Sequence, residues 1–301
     1  MSQSKQQARS YLFVPANRPD RFDKAEASGA DALILDLEDS VPAAEKQFAR
    51  DAVVQWQQKA SQRPLEIWIR INPLANAGIS ADLDAVMQAR PTGVVLPKCE
   101  GVADVETLNQ LLGKYEQIHG LPDQGIAVMA IATETPRALQ RLHTFDQPMP
   151  RLRGMLWGAE DLAAALGLRS LRDQAGNYLS PALGARDRLL VACHACHVAA
   201  IDAVYTGLND PAGLANEIRL HAAIGFTAKA AIHPNQIEVI HQGLQPSADD
   251  VAWAKEVIDA LRDGEIAAGK VRGAMVDQPH LNAARRILSI AQRSQPPPSA
   301  L

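Results

Sequence analysis

The chain has 301 residues, of which 47% are apolar and 21% are charged, so it can bury a large core as one sizeable domain or two small ones. Its 30 basic and 34 acidic residues give a net charge of −4 without a Lys/Arg run, which argues against nucleic acid or an anionic membrane surface as the main partner. No apolar stretch approaches the ~18 residues of a membrane span, and the opening MSQSKQQARS lacks the apolar core of a signal peptide. We therefore expect a cytoplasmic globular protein.

Short apolar runs alternate with longer helical patterns along the chain. The eight strand candidates are Tyr11–Val14, Ala32–Leu37, Ile67–Ile71, Val94–Leu96, Ile126–Ile131, Met155–Trp157, Ile201–Tyr205 and Ala230–Ile232. The helix candidates between them include Pro19–Ser28, Pro42–Ala60, Val102–His119, Pro136–His143, Pro211–Ala223 and Pro234–Gln242. This alternation predicts an α/β fold of the (β/α)8 TIM-barrel type. An open doubly wound sheet would carry a G-x-G-x-x-G or Walker turn, and none is present.

The chain continues beyond the eighth unit. We expect a barrel domain over residues 9–242, a C-terminal helical extension or lid over 243–293, and a disordered Pro/Ser-rich tail over 294–301. The extension contains two helix candidates, Asp249–Gly264 and His280–Arg293. A barrel does not require such an extension, so it is expected to pack on a neighbouring subunit or to cover the barrel mouth.

The stretch CHACH, Cys193 to His197, matches both a C-x-x-C-H haem-attachment pattern and a fragment of a zinc site. Haem attachment needs an exported protein, and a structural zinc needs a second ligand pair that Cys99 does not supply. The segment Pro181–Ala200 instead has apolar residues at helical spacing, so the cysteines are interpreted as small helix residues in a reducing compartment.

Polar residues stand at or just after the end of almost every predicted strand. In barrel enzymes the chemistry lies where strands end and βα loops begin, so these side chains should converge on one mouth. They are Glu38, Asp39, Arg70, Lys98, Glu134, Glu160, Asp161, Asn209, Asp210 and His233. Taken singly, Asp161 and Asp210 could be helix caps, Lys98 could extend its stem along apolar surface, and His233 could be a capping or packed residue.

Several carboxylates with one Arg and one Lys around one rim indicate a hard divalent cation, Mg²⁺ or Mn²⁺. Glu134 and Asp161, after neighbouring strands, are the predicted ligands. Glu38 and Asp39 would reach metal-bound waters from across the barrel, so a hydrated metal would be the positive charge between them.

A series of motifs carries a family resemblance from about Arg9 to Arg286. They are RSYLFVPANRPDRFDKA, ADALILDLEDSVP, IRIN, VVLPKCEG, ATETPRAL, GAEDLAAALG, AIDAVYTGLNDPAGL, AIHPNQI and GAMVDQPHLNAARR. The chain resembles the citrate lyase β-subunit-like group of the HpcH/HpaI aldolase superfamily. That resemblance implies a (β/α)8 barrel in a homo-oligomer, a trimer or hexamer, which cleaves or forms C–C bonds of acyl thioesters with Mg²⁺ held by Glu134 and Asp161.

The resemblance also implies residue roles. Arg70 would face the 2-oxo acid and the thioester oxygen, and Asp277 would be an acid/base on a C-terminal lid, often over a neighbour's active site. The surface for the CoA or carrier arm would comprise Pro15, Asn17, Arg18, Phe22, Lys24, Lys98 and His233. Two positions depart from the family pattern: Ala16 stands where Gly is common, and Ala212 stands where an acidic residue is common.

We therefore expect a lyase that cleaves a 3-hydroxyacyl-CoA such as citramalyl-CoA or malyl-CoA into a 2-oxo acid and a short acyl-CoA. Water held by Glu38 and Asp39 would take the hydroxyl proton, and Asp277 would protonate the enolate. The alternatives are a citrate lyase β subunit acting on citryl-acyl carrier protein, a malyl-CoA thioesterase, a Schiff-base aldolase using Lys98, and a non-catalytic subunit or scaffold.

Overall fold

The structure is a computed structural model that describes residues 8–59 and 65–293. Eight short strands form a closed barrel in which neighbours along the chain are also neighbours in the sheet, and each pairing is parallel. The strands are β1 (Ser10–Pro15), β2 (Ala32–Asp36), β3 (Glu66–Arg70), β4 (Gly93–Leu96), β5 (Ala127–Ile131), β6 (Leu152–Leu156), β7 (Ala199–Asp202) and β8 (Ala228–Ala231). The predicted (β/α)8 barrel is confirmed.

Helices follow the strands and form the outer layer expected of this fold. They are α1 (Phe22–Glu26), α2 (Lys46–Lys59), α3 (Ile79–Ala89), α4 (Val102–Ile118), α5 (Pro136–Arg141), α6 (Ala159–Leu166), α7 (Ser180–Ala195), α8 (Pro211–Ile224) and α9 (Ile237–Gly243). Short 3₁₀ turns precede α1, α2 and α9 and follow α5.

The barrel interior is filled by side chains from alternate strand positions. Ile34 of β2 and Trp68 of β3 belong to this interior cluster. Because side chains alternate along a strand, the residues two positions further, Asp36 and Arg70, project on the same side at the carboxyl ends of these strands. Two largely apolar strands thus each end in one member of a buried ion pair, Asp36 and Arg70.

Three strands begin two or three residues earlier than predicted. β6 includes Arg153, β7 begins at Ala199, and β8 includes Lys229. A charged side chain normally marks the end of an apolar run, but Lys229 is 1% exposed because buried carboxylates surround its ammonium. Helix α7 ends at Ala195, five residues before the predicted Ala200, and His197 after it has a left-handed φ of 55°.

The described residues from His241 onward form a compact unit separate from the barrel unit, which ends at Ile240. This C-terminal unit contains α10 (Ala248–Ala260), β9 (Ala268–Val271), β10 (Ala274–Asp277) and α11 (Gln278–Arg293). Its own core includes Val257, Leu261, Val276 and Leu281.

The segment expected to be a simple connection between the last two helices is a β-hairpin, with β9 and β10 antiparallel. Its two-residue turn, Arg272–Gly273, has positive φ at both positions, 48° and 87°. Arginine rarely takes that conformation, so the turn lacks the Asn-Gly signature by which hairpins are predicted.

Within the described ranges, no helix has the length and apolar character needed to cross a bilayer. The three cysteines are buried and free of disulfides, and burial raises the pKa of the Cys99 thiol to about 12. The predicted tail at 294–301, and Ala60 at the predicted end of the second helix, lie outside the described residues.

Candidate active site

Asp36 and Arg70 form an ion pair at the carboxyl ends of β2 and β3, where the sheet register places them opposite each other. Arg70 donates from Nε to Oδ1 at 2.7 Å and from Nη2 to Oδ2 at 2.6 Å. The same carboxylate accepts the backbone N–H groups of Glu38 at 2.8 Å and Ser40 at 3.2 Å. Burial opposes ionisation of Asp36, but its bonds to Arg70 hold its pKa below the ordinary value. Asp36 therefore fixes both the guanidinium and the turn after β2.

Glu38 is 2% exposed and lies between two cations. Nη1 of Arg70 is 3.1 Å from its Oε2, and the Lys98 ammonium forms an ion pair with its Oε1. Burial raises the pKa of Glu38, and the charges of Arg70 and Lys98 oppose that rise. Lys98 also pairs with Oδ2 of Asp39 at 3.0 Å.

One contact was not predicted. The Lys98 ammonium pairs with both Glu38 and Asp39, so a side-chain cation lies between these carboxylates. That they also reach metal-bound waters stays a prediction. Lys98 has a left-handed φ of 50°, and in this turn its amide meets Glu134 while its side chain meets Glu38. The spacing of these residues along the chain does not predict that Lys98 contacts Glu38.

Glu134 and Asp161 are the predicted metal ligands. Glu134 follows β5, is 2% exposed, and accepts the backbone N–H of Lys98 at Oε2. Burial raises its pKa to about 8, and the negative charges of Asp161 and Glu38 add to that rise. Asp161 lies in the first turn of α6 and is partly exposed. A buried carboxylate that faces a second carboxylate is stabilised by a cation, and oxygen donors suit Mg²⁺, so these residues fit the metal.

Gly158 leaves the space that Glu134 occupies. A Cβ atom at position 158 would lie 2.5 Å from Cγ of Glu134 and 3.2 Å from Cγ2 of Ile131. The backbone N–H of Gly158 donates to Oγ1 of Thr133 at 2.9 Å. Gly158 caps the N-terminus of α6, so its small size lets the helix that carries Asp161 begin against Glu134.

A second charged cluster lies between β7, β8 and α8. Among the described residues, it holds the one group of three or more potential metal ligands whose ligand atoms lie within 4.8 Å of one another: Asp202, Glu217 and His221. The Lys229 ammonium is 2.6 Å from Oδ2 of Asp202 and 2.9 Å from Oε1 of Glu217. Its third contact is the carbonyl of Ala203 at 2.7 Å.

This cluster already contains its cation, because the Lys229 ammonium lies between both carboxylates. Asp202 also accepts the Trp157 indole N–H at 2.8 Å, and Glu217 pairs with Arg172 at 2.6 Å. Burial opposes ionisation of Asp202, but Lys229 and His221 hold its pKa well below the ordinary value. We therefore interpret the cluster as a buried ion-pair network, and Glu134 and Asp161 stay the predicted metal ligands.

Three of the residues predicted to hold the thioester arm lie at the end of β1 and on the loop after it. Pro15 ends that strand and is partly exposed. Asn17 donates from Nδ2 to Glu45 at 2.6 Å, and its Oδ1 is buried without a hydrogen-bond partner. Arg18 is exposed and pairs with Asp20 at 2.8 Å. Pro15, Asn17 and Arg18 are therefore placed close together in the chain near the carboxyl end of β1.

Four residues of the predicted surface remain: Lys98, described above, and three that differ in accessibility. Phe22 is 0% exposed and packs edge-on against Trp56, with ring centroids 5.3 Å apart, so it lies beneath the surface it was predicted to form. Lys24 is exposed on α1. His233 caps the 3₁₀ turn Pro234–Gln236 by accepting the N–H of Asn235 at 3.2 Å, which agrees with its interpretation as a capping residue.

The surroundings of Lys98 disfavour its use as a Schiff-base nucleophile. Burial works against the charged amine, but hydrogen bonds to Glu38 and Asp39 raise the pKa of Lys98 above its ordinary value. A protonated ammonium has no lone pair for attack on a carbonyl carbon. The geometry instead makes Lys98 an electrostatic partner of two carboxylates.

Asp277 is the last residue of β10 in the C-terminal unit and is partly exposed. Its carboxylate Oδ1 is 2.6 Å from Nδ1 of His280 one turn into α11, and its backbone N–H lies 3.2 Å from the same nitrogen. The pairing with His280 was not predicted, although the spacing of three residues at the start of a helix is compatible with such a contact.

The sequence analysis did not predict three residues that support Glu38 and Arg70: Asp36, Lys46 and Asn72. Asp36 stands in the motif ADALILDLEDSVP but was not assigned a role. Lys46 contacts the carbonyls of Leu37 and Glu38, and Asn72 joins Lys46 to the next strand. A lysine in the first turn of a helix, where the dipole disfavours a cation, was the available signal.

A closed parallel barrel with carboxylates and two cations grouped at the carboxyl ends of its strands is the arrangement typical of barrel enzymes. The model of the family HpcH/HpaI aldolase/citrate lyase matches residues 9–234. The chain belongs to this family, which places it among the magnesium-dependent carbon–carbon lyases.

Known relatives span nearly the whole chain. A citrate lyase subunit beta-like protein of Mycobacterium tuberculosis is 37% identical over 280 residues, 92% of this chain and 93% of that protein. The mitochondrial citramalyl-CoA lyase of Homo sapiens is 30% identical over 294 residues, 94% of this chain and 85% of that protein. The crystal structure of CitE from Mycobacterium tuberculosis in complex with magnesium, acetoacetate and coenzyme A has a TM-score of 0.79 at 37% identity and covers 95% of this chain and 98% of that one.

Proposed function

We propose that this protein cleaves a 3-hydroxyacyl-CoA thioester, such as citramalyl-CoA or malyl-CoA, into a 2-oxo acid and a short acyl-CoA. The observation that carries the proposal is the grouping of Glu134 and Asp161 with the cations Arg70 and Lys98 at one end of the barrel. The names of the human relative and of the structure with coenzyme A support the substrate class.

Glu134 and Asp161 would hold Mg²⁺, which when bound supplies a Lewis acid for the substrate's hydroxyl and carboxylate oxygens. Arg70 presents a guanidinium that Asp36 and Glu38 hold in place, so it can stabilise the thioester oxygen where negative charge develops.

The proton of the substrate hydroxyl leaves to the carboxylates of Glu38 and Asp39, directly or through water. The C–C bond breaks, its electron pair forms the enolate of the short acyl-CoA, and the former hydroxyl oxygen becomes the carbonyl of the 2-oxo acid. Asp277 returns a proton to the enolate carbon, with His280 holding its carboxylate. In the condensation direction Asp277 removes that proton.

The loop after β1 and the basic groups Arg18, Lys24 and Lys98 would bind the phosphopantetheine arm and the phosphates of CoA. A homo-oligomer, trimer or hexamer, and a cytoplasmic location remain predictions from the sequence. The second candidate is a citrate lyase β subunit that acts on a carrier-bound thioester. It is supported by the name of a relative, citrate lyase subunit beta of Escherichia coli, which is 33% identical over 290 residues.

The test is product analysis with purified protein, Mg²⁺ and racemic malyl-CoA and citramalyl-CoA, with EDTA controls. Acetyl-CoA with glyoxylate or pyruvate, lost in EDTA, is the expected result and identifies the substrate. Release of free CoA without a 2-oxo acid would indicate a thioesterase. Absence of cleavage on CoA, with cleavage of citryl-acyl carrier protein, would contradict the CoA assignment and support the second candidate.

A further inference from the structure

The carbonyl groups of Leu37 and Glu38 lie just beyond the end of the barrel ladder. The N–H of Leu37 still donates to the carbonyl of Arg70 at 2.9 Å, whereas the strand itself ends at Asp36. Both residues are buried, so their carbonyls need donors from elsewhere. The Lys46 ammonium donates to both, at 2.6 Å from Leu37 O and 2.7 Å from Glu38 O. Leu37 O also accepts from Nδ2 of Asn72 at 3.2 Å, and Glu38 O accepts from the N–H of Val41 at 3.1 Å, so Lys46 is the one donor common to both carbonyls among these contacts.

The position of Lys46 is unfavourable for its own helix. It is the first residue of α2, where the partial positive charge of the helix N-terminus opposes a cation. All three ammonium protons nevertheless have acceptors, because Oδ1 of Asn72 is the third partner at 2.9 Å. The contacts with the turn after β2, rather than helix stability, account for a lysine at this position.

The third partner of Lys46 is itself held by buried groups. Nδ2 of Asn72 donates to Oδ2 of Asp82 at 2.7 Å, and Nε of Arg50 donates to Oδ1 of Asp82 at 2.7 Å. Asp82 is 0% exposed. The chain of contacts therefore runs from α3 through Asn72, after β3, to the turn that carries Glu38.

We propose that Lys46 is a positioning residue: by binding the two carbonyls it fixes the backbone of Glu38, whose carboxylate meets Arg70 and Lys98. Lys46 acts through Glu38 and through no contact with substrate. The inference rests on the proposed function, since it assigns Glu38 and Arg70 to the reaction.

The test compares Lys46→Met, which keeps the apolar stem without the charge, with Lys46→Arg, which restores two or more donors. Lys59→Met, at the exposed end of the same helix, is the matched control. Lys46→Met is expected to lower kcat per folded protein about 10- to 100-fold, as small displacements of reacting groups do, while KM changes less than about threefold. Lys46→Arg should recover part of kcat, and Lys59→Met should equal the wild type.

Hydrogen exchange gives a readout that needs no substrate. The N–H of Val41 donates to Glu38 O at 3.1 Å, so its exchange should become faster in Lys46→Met and stay unchanged in Lys59→Met. Wild-type kcat in folded Lys46→Met would overturn the inference and leave the proposed lyase intact. If the wild type cleaves no thioester, the lyase proposal fails, and unchanged exchange at Val41 would separately overturn the role of Lys46.

Discussion

The charged residues at the strand ends contact one another, and the type of each residue predicts only part of these contacts. Glu38, Arg70 and Lys98 lie together at the carboxyl end of the barrel, as their strand-end positions predicted. Asp36 joins them because the β2–β3 register places it opposite Arg70. It stands two residues after Ile34, which packs in the barrel interior, so its side chain projects to the same side of the strand. Its carboxylate binds both Arg70 of β3 and the backbone of the turn after β2.

Replacing Asp36 by Asn leaves the Arg70 guanidinium without its main counter-charge. We expect the free energy of unfolding to fall by about 3 kcal/mol at neutral pH, because removal of one partner strands a buried charge. The pKa of Asp36 is lowered in the folded protein, so its stabilisation is present above the unfolded pKa and is lost as pH falls. The difference between wild type and Asp36→Asn should therefore be constant above about pH 5 and shrink below about pH 4.

Urea denaturation across pH measures this difference. Asp51→Asn on exposed α2 is the control, since it affects only a surface contact with Gln47 and should change stability by less than about 0.5 kcal/mol. An Asp36→Asn variant as stable as Asp51→Asn at neutral pH would contradict the bracing role.

Gly158→Ala tests the packing between α6 and Glu134. The added Cβ would meet Cγ of Glu134 at 2.5 Å, so the carboxylate must move or the helix start must shift. We expect the Mg²⁺ concentration for half-maximal activity to rise at least about tenfold, since ligand geometry is disturbed. Gly184→Ala in α7, where a Cβ meets nothing within 4 Å, should leave the Mg²⁺ requirement unchanged. Equal requirements in both variants would argue against Glu134 as a ligand.

Elements determine which buried charges bind one another. Strand β8 brings Lys229 to Asp202 of β7, and α8 brings Glu217 to both, so three elements share one charge network. Because this network contains its own ammonium, its carboxylates have less need of a metal than Glu134 and Asp161, which face each other's charge.

Paired variants distinguish the two sites. Glu134→Gln should abolish Mg²⁺ binding, because a neutral amide is a much weaker ligand for a hard cation than a carboxylate. Glu217→Gln should retain wild-type Mg²⁺ affinity, since its contacts are with Lys229 and Arg172. Calorimetric titration with MgCl₂ measures both, and loss of binding only in Glu217→Gln would move the metal site to the buried network.

At the scale of the whole molecule, the residues with proposed roles are divided between two compact units. The predicted metal ligands and Arg70 belong to the barrel unit, and Asp277, the proposed proton donor, belongs to the unit with its own core of α10, α11 and the hairpin. A unit that folds around its own core can lose one surface carboxylate without disturbing the barrel's ligands.

Asp277→Ala should therefore abolish turnover while Mg²⁺ affinity stays at the wild-type value. The physical reason is that the enolate carbon loses its proton donor but the metal ligands are untouched. Asp259→Ala, at an exposed position of α10, is the control and should keep full kcat. Simultaneous loss of Mg²⁺ binding in Asp277→Ala would contradict the separation of roles.

The barrel could be predicted because its signal is local and repeated. Runs such as Ala32–Leu37 alternate with amphipathic segments such as Val102–His119, and both patterns follow from the periods of strands and helices. The same logic failed at Lys229, because a buried lysine reads as a strand boundary until its carboxylate partners are known. It also failed at the hairpin, because Arg272 does not indicate a tight turn.

By itself, the sequence determined the alternation that closes into a barrel. It also determined that Glu38, Arg70, Lys98, Glu134 and Asp161 stand at or just after the ends of successive strands, since parallel strands must end at one rim. Only the tertiary structure decided which charges bind each other: Lys98 with Glu38 and Asp39, Arg70 with Asp36, and Lys46 with two carbonyls. The physical reason is the distance along the chain over which each signal acts. Strand and helix periodicity depends on neighbours a few residues apart. The Lys98–Glu38 pair joins residues sixty positions apart, and only the register of the closed sheet brings them into contact.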